Sequence, residues 1–111
     1  MFKVFYHDYR DAGIQPITSD MNIRMAIRDV TNRMDTILRY PNNFLGIVDA
    51  FGKTLQFVVN DNLSITVELV IEERRGSMTG TMPLSEAIVL VADAPHTLDS
   101  LTVPDANFQH W

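Results

Sequence analysis

Hydrolytic and transfer chemistry at a protein site needs a nucleophile, a base beside it and a third group that orients the base. This 111-residue chain offers few candidates. The three histidines are His7, His96 and His110, and none has another histidine three or four residues away, so no zinc-binding spacing occurs. His7 neighbours Asp8, and a carboxylate can orient an imidazole, but no serine stands in a nucleophile-elbow pattern. Gly76 and Gly80 flank Ser77-Met78-Thr79 without a phosphate-loop lysine or a dinucleotide-binding spacing. There is no cysteine, which removes thiolate catalysis, disulfides and cysteine-held zinc or iron–sulfur sites. The expectation is a protein that is not an enzyme and holds no metal or cofactor.

The residues that point elsewhere are suited to contact. Glu68 and Glu72 stand four apart in an alternating run, which puts both on one strand face, about 13 Å apart at about 3.3 Å per residue. That exceeds the roughly 9.5 Å upper separation of a glycosidase carboxylate pair, so they suit recognition of a basic surface rather than acid–base chemistry. Glu73 extends the acidic run. Phe51 falls in a predicted hairpin turn, where an aromatic ring gains nothing from folding unless the turn folds back over the core. Phe51, Glu68, Glu72 and Glu73 are therefore the expected partner-contact residues.

Charge separates along the chain. Residues 1–55 carry seven basic and six acidic residues; residues 56–111 carry two basic and eight acidic, and the whole chain is at −5. A chain of this sign is not a general nucleic-acid binder, because neutralising phosphates needs clustered lysine and arginine. An acidic half suits a basic protein partner. No apolar run approaches the ~20 residues of a membrane span, and residues 1–8 turn polar too early for a signal peptide, so a cytoplasmic location is expected.

A single α+β domain over residues 1–111 follows from the periodicities. Residues 2–7 are aromatic and β-branched, a strand. Ile23, Ala26, Ile27, Val30, Met34, Ile37 and Leu38 recur at three- and four-residue spacing, predicting one long helix over residues 19–39, capped by Thr18 or Ser19 and ended by Tyr40-Pro41. Its outer face would carry Arg24, Arg28, Arg33 and Arg39, with Arg24 and Arg28 a like-charged i,i+4 pair. A meander follows: residues 44–48 (apolar enough to be central), 54–60, 63–73 and the polar run 77–81, joined by turns at Asp49–Gly52, Asn60–Asn62 and Arg74–Gly76. Pro83 suits the first turn of a second, shorter helix stopped at Ala94-Pro95, and residues 96–111 read as a docked or partly disordered tail. The expected architecture is two-layered: an antiparallel meander sheet of 4–5 strands, with the long helix packed on one face and the shorter helix added.

The succession of a long amphipathic helix, a hairpin into Thr54-Leu55-Gln56-Phe57, a strand with Val67-Glu68-Leu69, a Leu84-Ser85-Glu86-Ala87 helix and a closing Trp111 resembles small bacterial immunity proteins of polymorphic-toxin systems, particularly those paired with deaminase-like toxins. The resemblance covers about residues 17–111. It implies a cytosolic protein that binds its cognate toxin domain, often over the active site, with Gln56 and Glu68 matching the pattern. The alternatives kept open are a small acidic homodimeric secretion chaperone and a small-ligand-binding α+β protein.

Overall fold

The computed structural model describes residues 2–10, 17, 22–94, 97–98 and 101–111. Its strands are β1 (Phe2–His7), β2 (Ile23–Met25), β3 (Phe44–Val48), β4 (Thr54–Val59), β5 (Ile65–Ile71), β6 (Gly76–Met82) and β7 (Asn107–His110). Helix α1 is Ile27–Ile37 and helix α2 is Leu84–Ala92. The strands form one antiparallel sheet in the order β2-β1-β3-β4-β5-β6-β7. The chain is thus α+β with an antiparallel sheet, but the sheet has seven strands rather than four or five.

Strand alternation sets the two faces. Val4, Leu45, Ile47, Leu55, Phe57, Val59, Ile65 and Val67 are fully buried on one face, together with Val30, Met34 and Ile37 of α1 and Ala87 and Val91 of α2. The helices also touch each other, so both lie on that face and the molecule has two layers. Among the described residues no helix lies on the opposite face. Across it run register rows such as Phe5–Gly46–Gln56–Glu68–Thr79–Asn107. A Cβ at Gly46 would overlap the Phe5 ring, which is 8% exposed and lies flat over this glycine. Phe5, His7, Tyr9 and Phe44 form an aromatic cluster beside it, with His7 stacked on Tyr9 at 3.9 Å.

The expected long helix is divided. Its first part is the edge strand β2, with Ile23 opposite Val4 and Met25 opposite Phe2. Met25 is 7% exposed, while Ala26, which the helical pattern placed inside, is exposed. Ile23, also placed inside by the helical pattern, is 36% exposed, so β2 exchanges its burial for that of Met25, and the edge of β1 takes up the backbone of residues 23–25. Pairing with β1 therefore overrides the helical spacing. Arg24 and Arg28 do not share a helix face, because Arg24 lies in β2. The helix starts after Ala26, with no side-chain cap; Thr18 and Ser19 lie outside the described residues. It ends three residues before Tyr40, where Asn43 Nδ2 donates to the Ile37 carbonyl at 2.8 Å.

Strands β1 and β3 have the expected bounds, and β3 lies inside the sheet between β1 and β4. Pro83 sits one position outside α2, and its carbonyl accepts from the Glu86 and Ala87 amides. The helix ends at Ala92; Pro95 lies outside the described residues. Beyond it, Leu98 and Val103 are buried, and residues 107–110 pair with β6 as β7. Among the described residues no helix is long and apolar enough to cross a membrane.

Candidate functional site

The β3–β4 connection is short and tightly held. Asp49 is 3% exposed, although it opens a surface turn. Its Oδ1 accepts from the amides of Phe51 and Lys53, both at 2.9 Å, and its Oδ2 accepts from the Leu98 amide at 2.8 Å. The Gly52 amide donates to the Asp49 carbonyl, and Gly52 has φ +84°, a conformation that favours glycine. Three amide bonds to one carboxylate satisfy that charge inside the protein. They also fix the backbone of the turn that carries Phe51. Phe51 is 77% exposed at the apex of the turn, so the turn does not fold its ring back into the core.

A shallow groove of about 260 Å³ opens beside the ring, lined by Phe51, Lys53 and Thr54 on one side and Val70, Glu72 and Glu73 on the other. Glu72 and Glu73 do not continue β5. The strand ends at Ile71 and residues Glu72–Arg74 form a 3₁₀ turn, closed by the Arg75 amide donating to the Glu72 carbonyl. Arg75 takes the left-handed conformation at φ +50°. The strand-face spacing expected of Glu68 and Glu72 therefore does not apply, because Glu72 has left the pleat. The Arg74 guanidinium lies 4.1 Å over the Phe108 ring and ties the turn to β7.

The structure thus brings Phe51, Glu72 and Glu73 to one groove. Glu68 stands apart from it, half-buried on the helix-free face, in register between Gln56 and Thr79. It lies two residues, about 6.6 Å along the strand, from Val70 of the groove wall. Asp49 was not among the expected site residues. Its signal was present, since an aspartate three residues before a glycine favours a side-chain-closed turn, but its burial depends on Leu98, 49 residues away.

The His7–Asp8 pair is not a catalytic arrangement here. The Asp8 carboxylate is taken by the Arg10 guanidinium at 3.0 Å and by Asn43 Nδ2 at 2.8 Å. The hydrogen bonds from Arg10 hold its carboxyl below the ordinary range, against the opposite pull of burial. His7 belongs to the aromatic cluster, His110 is exposed on β7, and His96 lies outside the described residues. Among the described residues no three His, Asp or Glu side chains are placed to hold a metal ion. Comparison of the chain with protein-family models, with curated proteins and with solved structures returns no match.

Proposed function

We propose that this chain is a non-enzymatic cytosolic binding protein that neutralises a partner toxin domain, with Phe51 as the apolar anchor and Glu72, Glu73 and Glu68 meeting a basic surface around it. The observation that carries the reading is the exposed Phe51 ring on a turn braced by a buried carboxylate. An aromatic ring in water contributes nothing to the fold, and a turn whose backbone is already held adds no loop-ordering cost on binding, which leaves the side chain's own cost of about 0.5–1.5 kcal/mol. Aromatic anchors ringed by polar groups dominate protein interfaces. The adjoining carboxylates give that anchor a preference for cationic partners. The toxin-domain partner is what the resemblance to immunity proteins suggests.

The test is a pull-down of the tagged chain from its native host, washed at low and high salt, with mass spectrometry of the retained proteins. The expected result is one stoichiometric partner bearing a nuclease- or deaminase-like domain, weakened by salt and lost with Phe51→Ala. Retention of several unrelated secreted proteins would favour the chaperone alternative, and a bait with no partner would remove the proposal.

A further inference from the structure

A second concavity, which shares no lining residue with the Phe51 groove, runs along α2. It encloses about 670 Å³. One wall is α2 with its C-terminal cap, through Glu86, Val89 and Leu90 of the helix and Asp93 of the cap; the other is the segment at Leu101 and Pro104, with Met82 between them. The second wall is firmly seated. Val103 is 5% exposed, and a Cβ at Gly80 of β6 would stand 3.0 Å from the Pro104 carbonyl oxygen. Val89 is 57% exposed, an apolar side chain turned to solvent along the groove.

The charged residues that line this groove, Glu86 and Asp93, are both acidic. Residues 76–111 contain four acidic residues and no lysine or arginine. Glu86 and Asp93, on the α2 wall, have no ion-pair partner among the described residues. They are seven residues apart, which is about 10.5 Å along the helix axis, with Val89 and Leu90 between them.

We propose that this groove docks a cationic amphipathic α-helix of a partner protein, one that carries two basic residues seven positions apart and apolar residues midway. The seven-residue spacing fits a helix better than an extended peptide. A helix repeats one face at seven residues, about 10.5 Å, which matches the carboxylates. An extended strand repeats one face at about 6.6 or 13 Å and matches neither carboxylate when centred on the other. A second copy of the chain is the poorer occupant, because a two-fold interface would bring the same carboxylates from both copies together. An amphipathic helix laid in an apolar groove with oppositely charged rims is a recurring recognition mode. The proposal is independent of the Phe51 turn and of any toxin partner.

The experiment is fluorescence anisotropy of the full chain with a fluorescein-labelled, alanine-based helical peptide bearing two arginines seven positions apart and two leucines midway. The control is the same peptide with glutamates in place of the arginines. The arginine peptide is expected to bind and the glutamate peptide not. The double variant Glu86→Gln, Asp93→Asn should weaken binding about fivefold, as expected for two partly exposed ion pairs. Val89→Asp should abolish binding, and Phe51→Ala should leave it unchanged. Equal binding of both peptides would overturn the proposal. So would binding that survives Val89→Asp, binding lost with Phe51→Ala, or a dimer of the free chain in light scattering that Val89→Asp dissociates.

Discussion

The two ends of β3 use the same device to different ends. At one end Asn43, fully buried, accepts from the Tyr9 amide and donates to Asp8 Oδ1 and to the Ile37 carbonyl. At the other, the 3%-exposed Asp49 accepts from the amides of Phe51, Lys53 and Leu98. Each is a short polar side chain with three hydrogen bonds, and each joins segments far apart in sequence. The Asn43 network closes on the fold: Asp8 goes on to Arg10, whose guanidinium lies 4.2 Å over the Tyr40 ring. The Asp49 network opens outward and holds the backbone of the turn from which the Phe51 side chain meets solvent. A buried polar brace that stitches elements together is architecture; one that holds the backbone of a turn presenting an exposed aromatic ring prepares a surface for binding.

The largest effects expected are those of removing the two braces. Asn43→Ala and Asp49→Ala each remove three hydrogen bonds, one buried and two part-buried, so each should lower stability by about 3 kcal/mol, on the order of 10–20 °C in melting temperature. Chemical denaturation measures both. The comparison sharpens if the Asn43 variant, per folded molecule, keeps its affinity for the partner while the Asp49 variant loses it; equal losses of affinity would break it.

A smaller effect is expected at Gly46, next to neither brace. Gly46→Ala must push the Phe5 ring off its seat and should cost about 1–2 kcal/mol of stability without touching partner affinity.

The Asp8 carboxyl is held below its ordinary value, so its contribution is present above the ordinary carboxylate pKa of about 3.9 and is lost as pH falls through the lower, folded-state value. Asp8→Asn should therefore melt below the native chain at neutral pH, and the gap should close on acidification below about pH 4. A gap that stays constant with pH would show that Arg10 and Asn43 do not hold the charged form.

The smallest effect on stability is expected at the residue expected to matter most for binding. Phe51→Ala should change stability by less than about 0.5 kcal/mol, as for exposed positions in general, while weakening the partner complex at least tenfold, the scale of a hot-spot residue. A large stability loss would place the ring in the fold's own packing and break the contrast between the two ends of β3.

Much of this architecture is local in origin and was legible in the residues. Aromatic and β-branched content over Phe2–His7 and the apolar run Phe44–Val48 reproduce β1 and β3 to the residue, and β4, β5, β6 and α2 differ from expectation only at their ends. The charge separation, the absence of cysteine and the surface turn at Phe51 are equally properties of the chain itself. What needed the tertiary structure is whatever depends on a distant partner. Residues 23–25 have helical spacing and become β2 because β1 offers an unpaired edge. Residues 107–110 carry little apolar pattern and become β7 because β6 offers the other. Glu72 leaves the strand face because Arg75 closes a turn. Asp49 is a surface-turn residue by sequence and a buried brace by structure, because Leu98 arrives from 49 residues away to meet it. Side-chain periodicity is written in neighbouring residues, so it can be read before folding. Strand pairing and the burial of a charge are decided by whichever segments the folded chain brings together.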